Sequence, residues 1–134
     1  MIPSGTTYRL AEGPDFAVCH KLFKSQGHER DARYAFPTVV ADRDGDIVGF
    51  YSTNDAQEYI TAGPLEVDKS LDNPLIVAIR LVDAYDNVMR SVGINSYLFS
   101  VDKDNEQWKD IMERATGLES YAEDETRYWY RKEL

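Results

Sequence analysis

The segment Gly63-Pro64-Leu65-Glu66-Val67-Asp68-Lys69-Ser70-Leu71-Asp72-Asn73-Pro74, with its continuation LIVAIRLVDAYDNVMRSV to Val92, decides how this chain folds. Its first part reads as the end of a strand, broken by Gly63-Pro64. Proline donates no ladder hydrogen bond, so a bulge or a break in pairing is expected there. From Pro74 onward the spacing predicts a helix to Val92. Leu75, Ala78, Ile79, Val82, Tyr85, Met89 and Val92 form one apolar stripe, which Val77, Leu81, Ala84 and Val88 widen. Arg80, Asp83, Asn87 and Arg90 are left for solvent. An apolar face this wide belongs to a helix lying across a sheet. Pro74 sits at the first helical turn, Asn73 is positioned to cap it, and Gly93 ends the helix.

Upstream, the strand over Glu58–Val67 is the third of a run. Phe36–Ala41 leads into Asp42-Arg43-Asp44-Gly45-Asp46, where Asp-Gly signals a hairpin turn, and Ile47–Thr53 returns from it. Before these, Thr7–Leu10 reads as a first strand. Gly13-Pro14-Asp15 opens a helix whose buried stripe is expected at Phe16, Cys19 and Phe23, with Gly27 as its stop. His28 to Tyr34 is a charged stretch. Downstream, Tyr97–Val101 has bulky residues on both faces, as a central strand does. Asp104 caps a further helix with Gln107 three residues on, and Trp108, Ile111, Met112 and Ala115 make its stripe up to Gly117. Leu118–Ala122 and Thr126–Lys132 form a hairpin around Glu123-Asp124-Glu125. The order β-α-β-β-β-α-β-α-β-β predicts an α+β or mixed α/β sheet with helices on its faces.

Composition limits what this sheet can do. The 134 residues make one domain, 1–134, and a hydrophobic fraction of 43% supports a real core. Fifteen basic residues stand against 24 acidic ones, a formal net charge of −9. That balance repels phosphate backbones, excludes nucleic acid as a partner and favours cationic amines or basic proteins. No apolar run reaches the ~18 residues of a membrane helix, and the start lacks a signal-peptide pattern. One cysteine permits no intramolecular disulfide and no thiolate zinc cluster, and suits a reducing compartment. A soluble intracellular or virion-type protein is expected.

Few motifs carry chemistry. Asp42, Asp44 and Asp46 alternate like a calcium loop, but Ile47 and Thr53 stand where Gly and Glu are needed, so a solvated turn is expected and no metal site. Cys19 and His20 are helical neighbours pointing about 100° apart, which spoils a nucleophile–base pair, and Cys19 reads as a small buried hydrophobe. His28 has no identifiable partner. Neither Gly-x-Ser-x-Gly nor His-Glu-x-x-His occurs. On the last hairpin, alternation puts Tyr128 and Tyr130 on one face and Trp129 on the other. With Tyr121, and with Arg127 and Arg131 at the rim, this cluster suits core packing on one side and a protein contact on the other.

The element order resembles that of the GNAT superfamily of acyl-CoA-dependent N-acetyltransferases. Thr38-Val39-Val40-Ala41 to Ile47-Val48-Gly49 looks like its second-to-third-strand hairpin, and Gly63–Val67 looks like its fourth strand. Asn105-Glu106-Gln107-Trp108, followed by Gly117-Leu118, resembles its late helix-and-strand motif. The Tyr/Trp-rich ending is similar to that of small GNAT-like proteins of tailed phages. The resemblance implies an α+β fold, a twisted mixed sheet with helices on both faces. It implies that the pantetheine of acetyl-CoA would run beside Leu65, Glu66 and Val67, with Lys69 and Ser70 in the loop that receives the pyrophosphate. Glu66, or secondarily Asp68, would be the general base for the amine, although an exposed strand glutamate also reads as a solvated polar face.

Two features depart from the family. Its pyrophosphate loop, Gln/Arg-x-x-Gly-x-Gly/Ala, presents backbone N–H groups at a helix start. The loop here, Asp68–Pro74, contains no glycine, lacks the Pro74 donor and adds the Asp72 charge. Two like charges 4 Å apart cost about 1 kcal/mol in water and about 4 kcal/mol at an effective dielectric of 20. The family's proton-donating tyrosine falls on Met112, which donates nothing. Two readings follow. One is a GNAT-like binding or structural protein without a cofactor, its partner a protein of a phage assembly or of the host, with self-association open and a place in the host cytoplasm or virion. The other is a working N-acetyltransferase using acetyl-CoA on an amine.

Overall fold

The computed structural model describes residues 5–25, 35–56 and 59–134; the Gly27 stop, the His28–Tyr34 stretch and the Glu58 strand start lie outside them. The elements are β1 (Thr6–Leu10), α1 (Gly13–Ser25), β2 (Ala35–Arg43), β3 (Asp46–Ala56), β4 (Tyr59–Val67), α2 (Pro74–Ser91), β5 (Ser96–Asp102), α3 (Glu106–Thr116), β6 (Ala122–Glu123) and β7 (Arg127–Glu133). They build a seven-stranded mixed sheet in the order β1-β2-β3-β4-β5-β7-β6. Every neighbouring pair is antiparallel except β4 and β5, which run parallel. The crossover between those two is α2.

Helices cover both faces, as expected. α2 and α3 share one face with the larger core, in which Val39, Tyr51, Leu65, Val67, Leu81 and Phe99 meet. α1 covers the other, where Cys19 and Phe23 close over Val40 and Phe50. The strands supply both cores because successive side chains point to opposite faces. α2 can lie close to the sheet because Gly49 has no side chain: a Cβ there would fall 3.0 Å from Leu81 Cδ1 and 3.1 Å from the Glu66 carbonyl oxygen. The hairpin turn forms at the Asp-Gly signal, with Asp44 and Gly45 both at positive φ and the Gly45 N–H donating to Asp42 Oδ1 at 2.8 Å.

Local chemistry corrects several expectations. α1 buries Asp15, Cys19 and Phe23, leaving Phe16 43% exposed. Asp15 is drawn inward because its carboxylate accepts Arg9 Nη1 at 2.8 Å and the Glu12 N–H at 2.8 Å, closing the first turn in capping-box fashion. Those bonds hold its carboxyl below the usual range against the opposing effect of burial, the Arg9 bond contributing most. α2 stops at Ser91, so Val92 is exposed. The cap of α3 is Asn105 and not Asp104, its Oδ1 accepting the Trp108 N–H at 3.0 Å. Leu118 packs on the main core, leaving only Ala122 and Glu123 as the strand before the last turn. Asp124 organises that turn by accepting Trp129 Nε1–H and the N–H groups of Thr126 and Arg127, each at 2.8 Å. The Trp129 bond first, then the two backbone bonds, lower its carboxyl to about 2.

Candidate functional site

Among the described residues, β4 and β5 form the one parallel junction, and it is where the chemistry would lie. β4 and β5 pair only at Thr61–Leu98 and Ala62–Phe99, and are unpaired beyond. The departure begins at the expected bulge. Tyr51 faces Leu65 and Thr53 faces Ala62, so the two residues Gly63 and Pro64 oppose Ser52 alone. The Gly63–Pro64 peptide is cis.

Leu65 and Val67 point into the main core, while Glu66, opposite Phe50, takes the α1 face. Glu66 is only 5% exposed, which corrects its reading as a solvated glutamate. Alternation assigns it to a face, but does not say that this face is covered. On β5, Val101 is buried on the main-core side, and Met112 of α3 lies in the same core. The position where the resemblance implies a proton donor is thus a packed thioether.

Lys69 and Ser70 are both exposed at the turn after β4. The Asp68 Oδ1 accepts the Ser70 N–H at 2.9 Å and its hydroxyl at 2.7 Å. The Asp68 carbonyl accepts the Leu71 N–H at 3.2 Å, and the Asp68 N–H donates to the Val48 carbonyl at 2.8 Å. Asn73 caps α2 by accepting the Ile76 N–H at 3.5 Å, and Pro74 begins the helix. The residues that could receive a pyrophosphate are therefore brought together, but several of their amides are already used within the loop. Asp68 and Asp72 put two carboxylates beside it.

Beneath the junction lies a buried polar group that periodicity missed. Asp86, 3% exposed, accepts the Tyr97 hydroxyl at 2.7 Å and forms an ion pair with Lys132. Tyr97, Tyr85 and Tyr51 pack ring to ring, with centroids 5.1 and 4.5 Å apart. The Tyr85 hydroxyl shares a hydrogen bond with Thr53 at 2.9 Å, and burial pushes it up to about 12. Burial first, then neighbouring Tyr51 and Asp86, hold Tyr97 far above the ordinary phenol range. The signal was available: Asp86 falls between Val82 and Met89 on the apolar stripe. Of the terminal aromatics, Tyr130 is buried with its hydroxyl donating to Glu113 at 2.8 Å, Trp129 is half-buried, and Tyr121 is exposed.

Neither a protein-family model nor a curated protein matches the chain. Solved structures do. A protein assigned to the GNAT family of acetyltransferases from Desulfovibrio desulfuricans superposes with a TM-score of 0.77 at 14% identity, covering 96% of this chain and 99% of the other. The PaiA N-acetyltransferase of Thermoplasma acidophilum, solved with coenzyme A, gives a TM-score of 0.76 at 11% identity over 97% and 99% of the two chains. An N-acetyltransferase from Staphylococcus aureus gives 0.73 at 13% identity, with coverage of 97% and 99%. The chain thus has the fold of the GNAT N-acetyltransferases. Among the described residues, no helix is long and apolar enough to cross a membrane.

Proposed function

We propose that this chain is a GNAT-fold protein that works by binding a protein partner and does not use acyl-CoA. One observation carries the reading: the β4–α2 loop spends several of its own donors. Ser70 and Leu71 amides close on Asp68, the Ile76 amide closes on Asn73, and Pro74 has none to offer. A diphosphate arriving there would displace these bonds and meet the charges of Asp68 and Asp72. The buried thioether of Met112 adds to the case. The resemblance to small proteins of tailed phages suggests a partner in a phage assembly or its host, in the host cytoplasm or the virion. Exposed Tyr121 and half-buried Trp129 on the last hairpin offer it an aromatic contact.

A second reading rests on a different observation. Buried Glu66, and buried Ser52 whose hydroxyl has no partner among the described residues, flank the bulge on the α1 side of a diverging strand pair. In that reading acetyl-CoA enters between β4 and β5, Glu66 takes the amine proton, and the net charge of −9 draws cationic substrates.

One experiment separates the two. Thermal unfolding is followed with millimolar acetyl-CoA, and CoA release is assayed over polyamines, basic peptides and aminoglycosides. A ligand at a hundred times its Kd adds about 2.7 kcal/mol. The binding reading expects no shift and no release. A saturable shift lost in Lys69→Ala, with amine-dependent release lost in Glu66→Gln, would establish the enzyme instead.

A further inference from the structure

On the flank of α2 away from β5, a cleft of about 310 Å³ opens between that helix and the β1–β2 edge of the sheet. Its size is at the low end of small-ligand sites, about 300–1,000 Å³. Leu71, Ile76 and Val77 give it an apolar wall, and Tyr8 of β1 joins them. Thr6 and Arg43 are register partners on the outer strand pair, and Arg80 follows Ile76 and Val77 along the helix. Two arginines from opposite walls therefore line one small, partly apolar space.

Arg9, Arg127 and Arg131 each hold a carboxylate. The guanidinium groups of Arg43 and Arg80 have no ion pair or hydrogen bond among the described residues, although acids outnumber bases 24 to 15. Arg80 does act on the cleft: its charge partly offsets the rise that burial imposes on the Tyr8 hydroxyl. A planar guanidinium left without a carboxylate is a receptor for one.

We propose that this cleft binds the C-terminal carboxylate of a peptide whose last residue is apolar. Arg43 and Arg80 would receive the carboxylate, and Leu71, Ile76 and Val77 the terminal side chain. Asp72 also lines the cleft and is exposed. It repels a bare anion such as free phosphate, yet offers an acceptor to the peptide N–H that accompanies a terminal carboxylate. The combination of two cations, an apolar wall and one acid fits a chain terminus better than a simple anion. The cleft shares Leu71 and Asp72 with the Asp68–Pro74 loop but lies on the β1–β2 side of α2, away from the β4–β5 junction.

The test titrates the full chain with N-acetyl-alanyl-leucine as the free acid, as its C-terminal amide, and with inorganic phosphate, following amide chemical shifts and heat. Saturable binding of the acid is expected, with shifts at β1 and the start of α2. The amide should bind about tenfold more weakly or worse, as should the acid to Arg43→Gln or Arg80→Gln. Both variants alter exposed side chains, and an unchanged unfolding midpoint verifies that they fold. Equal binding of acid and amide, phosphate binding as tightly as the acid, or no saturation by the acid at millimolar concentration would each overturn the proposal.

Discussion

Asp86 is a carboxylate buried in the main interior. It sits on the sheet-facing side of α2, holds the Tyr97 hydroxyl at 2.7 Å and is neutralised by Lys132 from the last strand. Burying two charges is expensive, and such a pair adds little net stability; removing one partner leaves the other uncompensated. Lys132→Met should therefore cost about 3–5 kcal/mol, measured by urea unfolding. The double variant Asp86→Leu with Lys132→Met should recover only part of that loss: no buried charge remains, but the Tyr97 hydroxyl loses its acceptor, at about 1–3 kcal/mol. If Lys132→Met alone costs less than about 1 kcal/mol, the pair is more hydrated than its burial indicates.

The packing of α2 on β3 and β4 rests on Gly49. A methyl group there meets Leu81 Cδ1 at 3.0 Å, which can swing aside, and the Glu66 carbonyl oxygen at 3.1 Å, which is fixed in the β3–β4 ladder. Gly49→Ala should destabilise the protein by about 1–3 kcal/mol through overpacking. A denaturation midpoint unchanged from the parent would show that α2 can ride outward freely. Close approach of this kind is invisible in a sequence, where Gly49 is only a residue inside a strand. The element order was legible because it is written in strong local signals: Asp44-Gly45 in the turn, Gly63-Pro64 at the bulge, and the stripe from Leu75 to Met89. Errors arose where polar bonds outvoted periodicity. Asp15 displaced Phe16 from the buried face through its bonds to Arg9 and Glu12, and Asn105 took the cap from Asp104. At the candidate site the sequence disclosed the capped, glycine-free loop directly, since Asn73 and Pro74 act locally. It did not disclose that Glu66 is buried, because that depends on whether the second face of the sheet is covered at β4.

Taken whole, the molecule is one sheet between two unequal layers. Among the described residues, α2 and α3 close a core that runs from Tyr8 on β1 to Tyr130 on β7, whereas α1 seals a much smaller one, Cys19 and Phe23 against Val40 and Phe50. Less buried apolar area makes the α1 layer the easier to open, and local stability follows such differences. The chain has one cysteine and two tryptophans, and Cys19 and Trp108 report on opposite layers. Cys19 is buried on the inner side of α1, Trp108 lies on α3 against the main core, and Trp129 takes the face of β7 opposite Tyr128 and Tyr130. Burial first, and the charge of Asp15 second, push the Cys19 thiol up to about 12. In the closed state at pH 8 it is therefore both protonated and covered, and only opening of α1 yields a reactive thiolate. Labelling with a thiol reagent should accordingly be slow in buffer. It should accelerate at urea concentrations below the midpoint of the tryptophan fluorescence transition, because α1 detaches while α2, α3 and β7 still hold. Labelling that accelerates only in step with the fluorescence change would mean that both layers melt as a single unit, with the sheet transmitting the loss of one face to the other.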